Sequence, residues 1–143
     1  MVNSVSIDND LNDLLLNSDM PLGIGTWQAG KNQWVGIDDA SIDQALDLAF
    51  RHGVRLFDTA PDYGNGYSEC VLGRAILRWD SDVCVVSKLS PFRLGYSEVV
   101  ASSEASLRRL KRDYLDALLI HWPSGAFGSD VVPISDTMRA LTE

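Results

Sequence analysis

The sequence predicts an α/β fold with parallel strands, because short apolar segments alternate with amphipathic helical patterns along most of the chain. The four segments end in polar residues spaced 32, 30 and 33 positions apart, which are Thr26, Asp58, Lys88 and His121. One βαβ step of about 30 residues is typical of a barrel or a doubly wound sheet. No G-x-G-x-x-G turn follows the first strand, so the spacing favours a (β/α)8 barrel over a dinucleotide-binding sheet.

The four predicted strands differ in how apolar they are. The first, at residues 22–27, is interrupted by two glycines, and the second, at residues 54–57, is short. The third, at residues 83–87, and the fourth, at residues 115–121, are nearly continuous apolar runs. Such runs are typical of parallel strands that are covered on both faces.

Helical patterns fill the intervals between the strands and follow the last one. The first covers residues 42–50, with Asp38 or Asp39 as its N-cap and Gly53 as a left-handed stop. Ser68 is the predicted N-cap of the second. The apolar stripes of the last three patterns are Val71, Leu72, Ala75, Ile76 and Trp79; Val100, Ser103, Leu107 and Leu110; and Ile134, Met138 and Leu141.

The length of the chain limits how much of a barrel it can form. A complete (β/α)8 barrel takes about 250 residues. The 143 residues hold about four βα units after a leader, so we predict an N-terminal leader at residues 1–19 and half a barrel at residues 20–143. Four parallel strands leave two open edges and an uncovered apolar face. We therefore expect a fragment, self-association, or pairing with a complementing second half-barrel.

Composition and charge exclude several classes of protein. A hydrophobic share of 45% excludes wholesale disorder, and a net charge of −8 argues against nucleic acid or an anionic membrane as partner. No apolar stretch approaches the about 18 residues of a membrane span, and the N-terminus lacks a signal peptide, so we predict a cytoplasmic protein. In such a protein Cys70 and Cys84 are predicted to be reduced thiols, and the lack of a C-x-x-C motif or a His/Cys cluster predicts no metal site. The basic cluster at residues 108–112 is interpreted as a solvated helix end.

Barrel enzymes carry their chemistry at the C-terminal ends of the strands, where Asp58, Lys88 and His121 are predicted to lie. Tyr63 follows in the loop after the second strand. Each residue alone fits an ordinary turn or strand end, but the four together predict an acid catalyst. A tyrosine hydroxyl holds its proton up to about pH 10, and a neighbouring ammonium makes it a better acid.

In this interpretation each of the four residues has a role. Lys88 supplies the positive charge beside Tyr63, and Asp58 holds Lys88 in place. His121 donates a hydrogen bond to a carbonyl oxygen, which Tyr63 protonates as hydride reaches the carbonyl carbon. Because no side chain donates hydride, a nicotinamide cofactor is predicted.

Several motifs extend this pattern. FDTAPDYGNGYSE occupies residues 57–69, PLGIGTW residues 21–27 and VSK residues 86–88. The run from SLRRL through DYLD to LLIHWP occupies residues 106–123. In this order, over about residues 20–143, the motifs resemble the aldo-keto reductase family: the signature around its catalytic Asp and Tyr, its first barrel strand, its lysine strand, and its third helix with the histidine strand.

The resemblance implies a TIM barrel and NADPH-dependent reduction of aldehydes or ketones, with a small-molecule carbonyl compound as substrate. The catalytic residues it implies are Asp58, Tyr63, Lys88 and His121. The cofactor residues it implies are Gly25, Thr26 and Trp27 beneath the nicotinamide and Asp58 on its ribose. The substrate residues it implies are Trp27, Tyr63, His121 and Trp122. The family's second half grips the cofactor phosphates and is not found in these residues, so we expect the 143 residues alone to be weak or inactive.

Two other functions are compatible with the same residues. The chain could serve as a non-catalytic binding or regulatory half-barrel, as some members of the family do for ion channels. It could also be the inert remnant of an aldo-keto reductase gene. The enzyme hypothesis differs from both, because it predicts nicotinamide-dependent turnover in the completed barrel that is lost in Tyr63→Phe.

Overall fold

The computed structural model describes residues 22–32, 34–80 and 82–143. The predicted leader at residues 1–19 lies outside the described residues. Four strands form one parallel sheet in sequential order: β1 (Gly23–Gly25), β2 (Leu56–Asp58), β3 (Cys84–Leu89) and β4 (Ala117–Ile120). The helices are α1 (Asp39–Arg51), α2 (Tyr67–Ile76), α3 (Tyr96–Leu110) and α4 (Ile134–Thr142). The alternation of strand and helix confirms the predicted α/β fold with parallel strands.

The register of the sheet brings the C-terminal ends of the strands to one edge. Gly25 pairs with Asp58, and Asp58 pairs with Val86. β3 runs on beyond this level, and Lys88 pairs with Leu119 of β4. The strands therefore deliver their last polar side chains to the same side of the molecule, as the barrel hypothesis requires.

The first helix forms as predicted. Asp38 is its N-cap, and the Ser41 backbone N–H donates to Asp38 Oδ1 at 2.8 Å. Ile42, Leu46 and Phe50 are buried against the sheet. Gly53 adopts a left-handed conformation with φ 89°, which lets the chain turn into the next strand.

The second helix begins earlier than predicted, and Ser68 is not its N-cap. Gly66 occupies that position with φ 85°, and a Cβ there would lie 2.5 Å from Arg109 Nε, so both conformation and space require glycine. Ser68 is instead fully buried inside the helix. Its hydroxyl donates to the Thr26 carbonyl at 2.7 Å and lies 3.0 Å from Thr59 Oγ1. The serine therefore joins the helix to the loops that follow β1 and β2.

The predicted stripe of α3 is right at Leu110, which is fully buried, whereas the buried position near the start of the helix is displaced by one residue. Val100 is 41% exposed, whereas Val99 is buried and packs against Leu89 and Leu94. Ser106 is also buried, which an apolar stripe does not predict. Ser106 is buried because α2 and α3 pack closely together. A Cβ on Gly73 of α2 would lie only 2.5 Å from the Arg109 carbonyl oxygen of α3.

The predicted stripe of α4 is not buried by the described part of the chain. Ile134, Met138 and Leu141 are 62%, 46% and 36% exposed. The buried residue of this helix is Thr137, whose hydroxyl donates to the Leu94 carbonyl at 2.7 Å. The helix therefore packs on α3 through the neighbouring side, which carries Thr137, and leaves the apolar stripe uncovered.

The basic residues at the end of α3 differ from the predicted solvated cluster. Arg109 Nε donates to Glu69 Oε2 at 2.6 Å, and Glu69 is fully buried. Arg112 donates to the Val83 carbonyl at 2.7 Å and lies 3.3 Å from Asp116. These two cations hold the end of α3 to α2 and to the sheet, whereas Arg108 and Lys111 are exposed as predicted.

Both cysteines are free thiols with different surroundings. Cys84 is buried in β3, and burial together with the nearby Asp116 carboxylate raises the pKa of its thiol to about 11. Cys70 of α2 is partly exposed. Because the thiolate is the nucleophile, we expect iodoacetamide at mildly alkaline pH to alkylate Cys70 and to leave Cys84 unmodified until the chain unfolds. Mass spectrometry of native and urea-treated samples measures this, and equal modification of both thiols in the native chain would contradict it.

Candidate active site

Three of the predicted catalytic residues reach the edge of the sheet from neighbouring strands. Asp58 is the last residue of β2, Lys88 lies near the end of β3, and His121 directly follows β4. The backbone N–H of His121 donates to the Leu89 carbonyl at 3.0 Å, which continues the sheet pairing beyond the strand. Tyr63 comes from the loop between β2 and α2, where its N–H donates to the Ala60 carbonyl at 3.1 Å.

Lys88 is held by three hydrogen bonds. Its ammonium donates to Asp58 Oδ1 at 2.8 Å, to Asp58 Oδ2 at 2.6 Å and to the Thr59 carbonyl at 2.9 Å. An ammonium has three N–H donors, and these three acceptors satisfy all of them. The Lys88 side chain is 11% exposed, and a cation at this depth needs such a partner. The network fixes a positive charge at the base of the site.

Tyr63 lies at the centre of the predicted residues. The Lys88 Nζ atom is 4.9 Å from the centroid of the Tyr63 ring. The His121 ring meets the Tyr63 ring edge-on, with 5.5 Å between centroids and an interplanar angle of 79°. The Trp27 ring lies 6.4 Å away on another side. The structure thus brings Asp58, Tyr63, Lys88 and His121 together.

An open cavity of about 520 Å³ lies beside Tyr63. The residues that line it are Trp27, Asp62, Tyr63, Pro91, Phe92, His121, Trp122 and Phe127. Its walls are mostly aromatic, and Asp62, Tyr63 and His121 add polar groups, which is typical of pockets for small organic ligands. A larger cleft of about 620 Å³ beside α3 shares Asp62 and Phe92 with this cavity but lacks Tyr63 and His121.

The predicted cofactor residues lie in two different environments. An added Cβ at Gly25 would meet no atom within 4 Å, and the Trp27 side chain is half-exposed, so both border open space. Thr26 is buried, and its hydroxyl donates to the Asp58 carbonyl at 2.9 Å and lies 2.7 Å from Ser68 Oγ. Thr26 therefore anchors the end of β1 to the end of β2.

The predicted substrate residue Trp122 lies at the mouth of the cavity. Its ring is half-exposed and meets the Phe127 ring edge-on at 5.2 Å. The His121 ring lies 6.1 Å from it. The three aromatic rings form one continuous wall that leads towards Tyr63.

Several residues of the site were not predicted from the sequence. His121 Nδ1 lies 3.1 Å from Asp62 Oδ2, and Phe92 and Phe127 enter from the loops after β3 and β4. Asp62 stands next to Tyr63 in the sequence motif, and this proximity is a signal that could have indicated it. The role of the Thr59 carbonyl depends on backbone conformation, and no residue type indicates it.

Within residues 22–32, 34–80 and 82–143, no group of three or more His, Cys, Asp or Glu could hold a metal ion. Among the same residues, no helix combines the length and the apolar character that crossing a membrane requires.

Comparison with known proteins defines the class to which this fold and site belong. The sequence model of the Aldo/keto reductase family matches residues 21–143. The chain therefore belongs to the aldo-keto reductase family, as the motifs predicted.

Individual relatives support this assignment. Aldo-keto reductase YhdN of Bacillus subtilis is 33% identical over 132 residues, a match that covers 85% of this chain and 38% of the relative. Methylglyoxal reductase YeaE of Escherichia coli is 40% identical over 110 residues, covering 74% of this chain and 36% of the relative. The chain thus spans well under half the length of the curated relatives it matches.

Solved structures of the family also match this chain over less than half of their own length. An aldo-keto reductase of Klebsiella pneumoniae in complex with NADPH is 35% identical, with a TM-score of 0.70 over 82% of this chain and 38% of that chain. The glycerol dehydrogenase of Gluconobacter oxydans is 32% identical, with a TM-score of 0.71. The match covers 86% of this chain and 41% of that chain. Structures of this family are TIM barrels, so the predicted fold class, four βα units of half a barrel, is confirmed.

Proposed function

We propose that these residues form the catalytic end of an NADPH-dependent reductase that converts an aldehyde or ketone into an alcohol by hydride transfer. The observation that carries the proposal is the cluster around Tyr63, with Lys88 Nζ at 4.9 Å and the His121 ring at 5.5 Å from its ring centroid. The cavity of about 520 Å³ beside it accommodates a small carbonyl compound. Membership of the aldo-keto reductase family supports the same reaction.

Tyr63 is the proposed proton donor. As hydride adds to the carbonyl carbon, negative charge develops on the carbonyl oxygen, and the Tyr63 hydroxyl gives it a proton. The fixed ammonium of Lys88 stabilises the phenolate that remains. Asp58 keeps the ammonium in place through two hydrogen bonds, so this charge needs no rearrangement during the reaction.

His121 is the proposed residue that orients the carbonyl. Its ring lines the same cavity as the Tyr63 ring, so one carbonyl oxygen can be contacted by both side chains. Two donors that converge on the oxygen stabilise its developing charge more than one. Trp27 and Trp122 are the proposed apolar walls that position the rest of the substrate.

The described residues fit a nicotinamide next to the cavity. Gly25 presents backbone with open space around it, and Trp27 offers an exposed ring beside it. Asp58 accepts two hydrogen bonds from Lys88, and a carboxylate has lone pairs left for a ribose hydroxyl. We propose that Gly25, Trp27 and Asp58 hold this part of the cofactor and that Thr26 positions Asp58. When bound, the nicotinamide supplies the hydride.

The proposal includes a requirement for four further βα units, from the same chain or a second one. The edge strands β1 and β4 are more exposed than the central strand β3, and Leu119 of β4 is half-exposed. The apolar stripe on α4 is also uncovered. Because a closed site excludes water from the reacting groups, we expect the 143 residues alone to reduce carbonyl compounds weakly.

A second candidate function is that of a non-catalytic subunit on the same scaffold. A protein of Arabidopsis thaliana named as a probable voltage-gated potassium channel subunit beta is 35% identical over 130 residues, which covers 84% of this chain and 37% of that protein. This candidate predicts a defined complex without carbonyl turnover.

A completed barrel separates the two candidates. We suggest a fusion in which residues 20–143 replace the corresponding segment of Bacillus subtilis YhdN, compared with the 143-residue chain and a folded fusion that carries Lys88→Met. The readout is loss of NADPH fluorescence with methylglyoxal or an aromatic aldehyde as substrate. We expect turnover in the unmodified fusion and at least about a hundredfold less with Lys88→Met. A fusion that folds and binds NADPH without turnover would favour the second candidate.

A further inference from the structure

The contact between Asp62 and His121 carries an inference that deepens the proposed function and rests on it. We propose that Asp62 is a positioning residue that fixes the tautomer of His121, with the proton on Nδ1 and with Nε2 left for the substrate. In this arrangement the neutral imidazole accepts a hydrogen bond at Nε2, and only the imidazolium donates one to a carbonyl oxygen.

The geometry of the contact supports this role. Asp62 Oδ2 lies 3.1 Å from His121 Nδ1, although the residues are 59 positions apart. The backbone of His121 is fixed by the continuation of the sheet, and Asp62 lies in the loop that carries Tyr63. The His121 side chain is 16% exposed, so the ring has few positions open to it. The Asp62 contact engages Nδ1, so Nε2 is the ring nitrogen left for the substrate.

The direction of the hydrogen bond follows from the chemistry of the two groups. An ionised carboxylate has acceptors only, so His121 Nδ1 must be the donor. A neutral imidazole carries one N–H, and a proton on Nδ1 leaves Nε2 without one. A carbonyl oxygen is itself an acceptor and cannot bond to a bare Nε2. Donation from His121 to the substrate therefore requires a second proton on the ring.

The other charged and titratable groups around His121 do not compete for Nδ1. The Tyr63 ring meets the imidazole edge-on, and the Trp122 ring lies on another side. Beyond Tyr63, the Lys88 ammonium is occupied by Asp58 and Thr59. Asp62 is thus the group that decides the tautomer, and the Lys88–Asp58 pair acts at longer range.

Nitrogen NMR of the imidazoles tests the inference without any activity measurement. The chain contains two histidines, and the exposed His52 serves as an internal reference. In the neutral form we expect His121 to show a protonated Nδ1 and an unprotonated Nε2. The spectra are recorded on the 143-residue chain and on the fusion with YhdN. The result then does not depend on whether either protein alone is stable enough to measure.

Asp62→Asn is the test variant, because it keeps the size of the side chain and its amide can donate to Nδ1. We expect the ratio of the Nδ1–H to the Nε2–H form of His121 to fall about tenfold, as loss of a charge-assisted hydrogen bond implies. Asp113→Asn is the matched control, since it removes the same charge from an exposed position beyond α3. A predominantly Nε2–H tautomer in the unmodified protein, or an unchanged ratio in Asp62→Asn, overturns the inference.

The pH profile of turnover in the fusion gives a second readout that a merely structural contact would not change. With Asp62 present, donation to the substrate depends on the imidazolium, so reduction should slow as the pH rises. In Asp62→Asn the neutral ring can donate from Nε2, and the profile should be flatter. Absence of turnover in every fusion counts against the proposed function alone, because the tautomer measurement still decides the inference.

Discussion

Replacing Tyr63 by phenylalanine is expected to lower the kcat of carbonyl reduction in the completed barrel by about 10²–10⁴-fold, the usual contribution of a positioned general acid. Phenylalanine removes the hydroxyl and keeps the ring that contacts Trp27 and His121. The hydrogen bonds of Lys88 go to Asp58 and Thr59, so the charged network should survive the change. The loss should therefore appear in kcat, with little change in the affinity for NADPH.

The control for this experiment is Tyr114→Phe. Tyr114 is an exposed tyrosine before β4, at the opposite end of the sheet, and its ring lies beneath the Arg112 guanidinium at 4.4 Å. We expect this variant to turn over as the unmodified fusion does. Stopped-flow measurement of NADPH oxidation, with NADPH titrated by fluorescence, separates chemistry from binding. Full turnover in Tyr63→Phe would remove Tyr63 from its proposed role.

Much of the candidate site could be predicted from the sequence, because parallel strands place their C-terminal ends at one edge. Asp58, Lys88 and His121 follow apolar runs at even spacing, and this pattern alone brings them together. Asp62 and the Thr59 carbonyl could not be predicted in the same way. Their positions depend on how the loop after β2 folds, and loop conformation is set by contacts from distant parts of the chain.

The helices differ from the sequence prediction for the same reason, since burial also depends on contacts with distant parts of the chain. An apolar stripe predicts which side of a helix is buried only when the opposing surface is apolar too. Ser68 and Ser106 are buried because α2 packs closely on the loop after β1 and on α3, where small side chains are needed. The stripe on α4 is exposed because the described residues provide nothing to cover it.

Replacing Arg109 by methionine is expected to lower the free energy of unfolding by about 3 kcal/mol, at the lower end of the cost of breaking a buried ion pair. Glu69 is fully buried and accepts hydrogen bonds from Ser87 Oγ at 2.7 Å and from Arg109 Nε at 2.6 Å. Without Arg109, the carboxylate keeps one neutral donor and loses its opposite charge. The Arg109 side chain is 27% exposed, so water can reach part of the gap, which is why the estimate lies at the lower end.

The neighbouring Arg108 provides the matched control, because it lies one position earlier on the same helix and is 69% exposed beside Glu104. Arg108→Met should change the unfolding free energy by less than about 0.5 kcal/mol, since exposed ion pairs contribute little. Urea unfolding measures both variants, with a shifted midpoint and an unchanged slope as the sign of a native-state effect. In the double variant with Glu69→Gln, the cost of Arg109→Met should shrink, because the buried group is then neutral. Equal stabilities of the Arg108 and Arg109 variants would show that the buried carboxylate does not need its cation.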